Sequence, residues 1–136
     1  MLGEKIGEFA GQSTGRRVIS VTGGTPTVEV SIEQQGKLLG TDCTDTGTYQ
    51  SILQPDGSLQ GKGHGIVMTK DGQVATWEAT GVGKFVPGKN GAVAYRGSLI
   101  YHTASTKLSR LNGLCVVFEH DAAGDGSCAS RLFEWR

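Results

Sequence analysis

The sequence predicts an all-β chain: one antiparallel barrel of about eight strands, closed or nearly closed, with at most one short helix. Three observations predict it. Apolar and polar residues alternate at period two along most of the chain, and helical spacing is almost absent. Turn signals recur at short intervals, roughly every 12 to 18 residues. Glycine supplies 22 of 136 residues, about twice its average usage, and is often spaced by two. Long strands of this kind tilt and coil, and closing the sheet removes its edges. A two-sheet sandwich is the competing architecture.

The strands follow in order. Lys5 to Gln12 and the β-branched run Arg17 to Val21 open the chain. Thr27 to Glu33 alternates cleanly, with Val28, Val30 and Ile32 on one face and Glu29 and Glu33 on the solvent face. Thr48 to Leu53, Leu59 to Lys70, Val74 to Phe85, Ala92 to Thr103, Leu114 to His120 and Arg131 to Trp135 complete the set. Pro55-Asp56-Gly57, Asp71-Gly72 and Pro87-Gly88 separate them as hairpin turns. Ala104 to Leu111 is the helix candidate, with Thr103 or Ser105 as its cap and Gly113 as a left-handed stop. An irregular strand is the alternative there. Residues 1–136 form one domain, with no linker or repeat.

Parity assigns the interior. In Val74 to Phe85, Ala75, Trp77, Ala79, Gly81, Gly83 and Phe85 share the better inner face. The neighbouring strand offers Gly61, Gly63, Gly65 and Val67, so an indole packs against a glycine comb. Gly63 is expected either to face Trp77 or to serve a sharp curvature of the strand. Ala92 to Thr103 adds Tyr95 and Tyr101, and Tyr49 is a further inward candidate. Over Leu114 to His120 either parity is open. Phenols and an indole inside a barrel need hydrogen-bond partners. They either fill a core or line an apolar pocket with a few polar handles. The ligand-binding candidates are therefore Trp77, Tyr95, Tyr101 and Tyr49.

Composition excludes several classes. Thirteen basic and 13 acidic residues balance, so no basic footprint for nucleic acid exists. No apolar run approaches the roughly 18 residues of a membrane span. Met1 to Lys5 has no leader character. Cys43, Cys115 and Cys128 are odd in number and far apart, which fits free thiols in a reducing cytoplasm. The balanced charge and β-rich surface favour a homo-oligomer. No cofactor or metal is expected: there is no CxxC, HxH or HxxxH spacing, and His64 and His102 fall on outer faces. The glycines at 61 to 65 are no dinucleotide loop, because a strand follows them. Glu119 follows an apolar run and is the weak catalytic candidate, as an acid or base with a raised pKa. The competing reading pairs it outside with Arg96 or Arg131. Arg96 itself would bind a ligand carboxylate or pair with Glu78.

The segments LQGKGHGIVMTKDGQVATWEATGVG and YRGSLIYHTAS resemble small bacterial barrels of the allene oxide cyclase-like group. The resemblance covers about residues 58 to 103. It implies an eight-stranded antiparallel barrel, often oligomeric, in a group whose plant relatives cyclise an unsaturated epoxide in an apolar cavity. It transfers no catalytic residue. Three functions follow: binding a small apolar or aromatic molecule inside the barrel, cyclising or isomerising a hydrophobic substrate there, or serving as an oligomeric structural protein with a filled core.

Overall fold

The computed structural model describes residues 2–136; Met1, where the N-terminal leader reading begins, lies outside the described residues. Eight strands run β1 (Leu2–Ser20), β2 (Thr27–Leu38), β3 (Thr41–Leu53), β4 (Leu59–Thr69), β5 (Val74–Phe85), β6 (Val93–Thr103), β7 (Val116–Ala122) and β8 (Ser127–Trp135). Each pairs antiparallel with its sequence neighbour, and β1 pairs with β8 to close the barrel. The two segments expected at the start of the chain are one 19-residue strand. Register shifts at Ser13/Gly15 and Val18/Ser20 let it bend where the alternation breaks.

The inner faces follow the parity of the sequence, except that Phe85, at the upper end of β5 where the barrel opens, is 54% exposed rather than buried. Trp77 lies opposite Gly65 on β4 and Tyr101 on β6. Its ring occupies the space above Gly65 and Gly47, where any Cβ would overlap it. Gly63 instead faces Tyr49, 2.7 Å from where its own Cβ would sit, so the expected Gly63–Trp77 contact is corrected by one step of the comb. The indole fits only because two neighbouring strands carry no side chain beneath it.

The two ends of the barrel differ. At the lower end lie the β2–β3 and β4–β5 turns and the β6–β7 connection. Ile6, Phe9, Leu38, Val67, Val116 and Leu132 form the core there, and Leu108 and Leu111 of the connection seal it with no exposed surface. That connection is not the helix proposed for Ala104 to Leu111. It is irregular, with one 3₁₀ turn at Ser109–Leu111. The two leucines lie three positions apart, one 3₁₀ turn, which aims both into the barrel. The Asn112 side chain then clamps the segment, donating to Thr103 O at 2.9 Å and accepting from Thr103 N at 3.0 Å. Tertiary packing overrides weak helical propensity here. Gly113 does take the left-handed conformation, with φ +82°. The upper end, ringed by the other four connections, stays open.

Gly65→Ala should lower stability by about 1–3 kcal/mol, because its methyl must displace the buried indole. Gly61→Ala should be near neutral, since its nearest neighbour would be Tyr95 at 3.6 Å. Urea midpoints measured side by side check the contrast; equal midpoints would show that the indole is not seated on the comb.

Candidate ligand cavity and its polar relay

Two cavities lie on the barrel axis. The inner one, about 80 Å³, is bounded by Trp77, Ala79, Leu99, Tyr101 and the glycines at 61, 63 and 81. The outer one, about 360 Å³, reaches the open end between Arg16, Val28, Val30, Leu53, Leu59 and Val93. Ile32, Tyr49, Tyr95 and His120 line both, so they form the partition between them. Small-molecule sites begin at roughly 300 Å³. The outer cavity meets that size, and the inner one holds waters or a protruding group only.

All four aromatic candidates line one or both cavities. Tyr49 and Tyr95 meet edge to face at 5.4 Å, and His120 stands 5.9 Å from Tyr49 and 6.2 Å from Tyr95. The Tyr95 hydroxyl shares a 2.8 Å hydrogen bond with Ser51. Tyr101 sits deepest, 2% exposed. Burial pushes the phenols of Tyr49, Tyr95 and Tyr101 above their ordinary range, so all three are neutral at pH 7.

Sequence reasoning missed the groups that give this interior its chemistry. Gln34, Asp45, Ser130 and His120 are all buried on inner faces. Trp77 Nε1 donates to Asp45 Oδ1 at 2.8 Å, and Gln34 Nε2 donates to Asp45 Oδ2 at 3.3 Å. Gln34 Oε1 accepts from Ser130 Oγ at 3.2 Å, and Ser130 Oγ meets His120 Nδ1 at 2.7 Å. An ionised carboxylate only accepts, so Asp45 turns the Gln34 amide nitrogen toward itself. The amide oxygen then takes the Ser130 proton. Ser130 is left to accept, so His120 Nδ1 carries the ring proton. The relay thereby leaves Nε2 as a bare lone pair. This nitrogen is buried and has no hydrogen-bond partner among the described residues. His120 is 7% exposed and lies in the partition.

The signal for these residues is parity. Gln34 continues the inward series Val28, Val30, Ile32, and Asp45 is in phase with Tyr49. His120 follows Val116 and Phe118 on the face left open by the sequence, while His64 and His102 are exposed. Glu119 faces the other way. Its carboxylate meets Arg131 at 2.8 Å and Arg96 at 3.7 Å on the outer surface. The weak catalytic candidate therefore does not reach the cavity. Arg96 also corrects its expected partner: it bonds Asp121 at 3.0 Å, across to β7, rather than Glu78 on β5. The three cysteines are free thiols.

Electrostatics oppose each other at the two ends of the relay. Burial raises Asp45 to about 6, against the Trp77 and Gln34 hydrogen bonds that favour its carboxylate. Burial lowers His120 to about 4. The raised Asp45 adds stability below its unfolded value near 3.8 and loses it as pH rises through about 6. The depressed His120 adds stability above its unfolded value near 6.5 and loses it as pH falls through about 4. Each shift spans about 3 kcal/mol, so the two nearly cancel between pH 4 and 6.5. Relative to wild type, Asp45→Asn should lose stability as pH falls through this window, and His120→Gln should gain it. Urea titrations at several pH values read the slopes. Equal slopes in all three proteins would show that these groups are not buried as described.

No family model matches this sequence, and no curated protein is significantly similar to it. Solved structures do share its fold. A conserved protein of unknown function from Rhodopseudomonas palustris superposes with a TM-score of 0.81 at 14% identity, over 98% of this chain and 97% of that one. A beta-barrel like protein from Acinetobacter baumannii gives 0.82 at 16% identity, over 100% and 96%. An enzyme from Penicillium herquei gives 0.63 at 16% identity, over 96% and 92%. At these identities the likeness establishes the closed eight-stranded barrel and nothing finer.

Proposed function

We propose that this barrel binds a small, largely apolar molecule in the outer cavity, against the partition of Tyr49, Tyr95 and His120. The observation that carries the reading is His120 Nε2, a buried acceptor with no protein partner, at the floor of a 360 Å³ cavity. Leaving such an atom unpaired costs about 1–3 kcal/mol. A filled core would have an apolar residue there. Val28, Val30, Leu53, Leu59 and Val93 supply the apolar wall, and the phenols add donors. That is the usual composition of a ligand site.

A cyclase or isomerase is the second reading, and the same nitrogen favours it. An unprotonated imidazole beside neutral phenols is equipped to take a proton at one point of a substrate and return it at another. The resemblance of residues 58 to 103 to allene oxide cyclase-like barrels supports this reading. That an enzyme occurs among barrels of this fold is consistent with it.

Binding is tested through Trp77, which borders the inner cavity just beyond the partition. Aromatic hydrocarbons and alcohols titrated into the protein should shift its emission, with Kd at or below about 100 µM, near −5 kcal/mol. Trp77→Phe should remove the response, and the half-exposed Trp135 serves as the internal control. If no compound alters Trp77 emission or raises the melting temperature, the interior is a core and both readings fall.

A further inference from the structure

We infer that the ligand is an amphipathic acid: an apolar or aromatic body with an anionic group that meets Arg16 at the mouth and a hydrogen-bond donor that meets His120 at the floor. This rests on the binding reading above and adds the chemical class. The first observation is the phase of β1. Gly11 and Ser13 point inward, and strict alternation would carry residue 15 inward and residue 16 outward. The register shift between Ser13 and Gly15 reverses this. Arg16 comes to lie opposite Val30, an inward residue, and lines the outer cavity. A single extra residue puts Arg16, still solvent-exposed, on the cavity side of β1 at the opening.

The second observation is that this guanidinium has no ion pair. The chain has six arginines. Arg17, Arg96, Arg110, Arg131 and Arg136 each meet a carboxylate within 4 Å, whereas Arg16 meets none among the described residues. The acidic side chains around the mouth are engaged elsewhere. Glu29 binds Arg17, Asp56 accepts from Ser58 N and Oγ, and Asp125 accepts from Ser127 N and Oγ. The charge of Arg16 reaches the phenols of both Tyr49 and Tyr95, the residues that line the partition. A planar guanidinium at the rim of an apolar cavity binds a carboxylate with two parallel hydrogen bonds.

The third observation is the polarity of the relay. With Nδ1 committed to Ser130, the His120 ring accepts a hydrogen bond at the floor of the cavity and cannot donate one there. Floor and rim therefore select opposite chemistry: a donor deep inside and an anion outside. A cavity of 360 Å³ admits one aromatic ring or two fused rings between them. The class is a small hydroxy acid with an aromatic or other apolar body.

The probes are 4-hydroxybenzoate, 4-hydroxycinnamate and 6-hydroxy-2-naphthoate, each compared with its primary amide and its methyl ether by calorimetry. In the best-fitting length, the acid should bind about tenfold more tightly than the amide, and the margin should shrink between 0.05 and 0.5 M salt. Arg16→Gln should erase the margin and leave the affinity for the amide within about twofold. The hydroxyl compound should exceed its methyl ether severalfold and should move the ¹⁵N resonance of His120 Nε2, a readout that needs no mutation at a buried site. If acid and amide bind equally, or Arg16→Gln preserves the margin, the inference is overturned while a Trp77 response keeps the binding reading intact. If nothing binds and Trp77 emission stays constant, the binding reading falls first and this one with it.

Discussion

Closing eight strands on themselves leaves one interior, and strand parity decides which residues share it. Everything else here depends on that constraint. The interior cannot expand to suit its contents, so a large ring on one strand requires bare backbone on the next two. The indole of Trp77 over Gly47 and Gly65 is that bargain made at the centre of the barrel. Below it, aliphatic side chains and the two leucines of the β6–β7 connection fill the section completely. Above it, the aromatic rings stand edge to face rather than stacked, and space remains.

The same constraint governs the polar groups. A carboxylate on an inner face is cut off from bulk water, so protein groups on other inner faces supply its hydrogen bonds. Trp77 and Gln34 supply them to Asp45. Gln34 then needs a donor for its oxygen, and Ser130 and the Cys128 thiol serve. Each step fixes the orientation of the next group, from Asp45 on β3 through Gln34 on β2 and Ser130 on β8 to His120 on β7, four different strands. The sequence of obligations ends at His120, where the last nitrogen faces the partition. One buried charge at the base of the barrel thus decides which atom is presented to the cavity, several side chains away.

Much of this fold was legible because period-two alternation and glycine spacing act locally. The presence of strands from Thr27 onward, the inward faces of β4 to β6 and the left-handed Gly113 follow from nearest-neighbour rules. However, β2 runs on to Leu38, β3 starts at Thr41 and β8 starts at Ser127, so Gln34, Asp45 and Ser130 fall in strand ends that the alternation did not reach. The features that escaped depend on cross-barrel partners. Ala104 to Leu111 has helical spacing over only two leucines, and the barrel end claims both. Arg96 has carboxylates on either neighbouring strand, and only register shows that β7 provides the closer pair. The polar residues of the relay look ordinary in sequence. They are recognised by lying in phase with valines and tyrosines, a sign that the reading applied to aromatics and not to Gln34 or Asp45. His120 remained ambiguous because β7 is short and apolar on both faces. The inward turn of Arg16 hangs on a bulge that no residue pattern between Gly11 and Arg17 announces.

The seam between β1 and β8 has a kinetic consequence. Every other pairing joins strands that are neighbours in sequence, so seven of the eight ladders are local, six of them across short loops and one across the 12-residue β6–β7 connection. The eighth joins the ends of the described chain, pairing Gly11 with Cys128 and Phe9 with Ser130. Without that pairing the sheet would have two long unpaired edges and an interior exposed along one side. Closure carries the largest loop-entropy cost of the eight pairings, and it removes both edges at once. Gln34, on β2, and Ser130, on β8, meet only across this seam. The relay that orients His120 is complete only when the barrel is, so the chemistry of the cavity appears in a single step with the native fold.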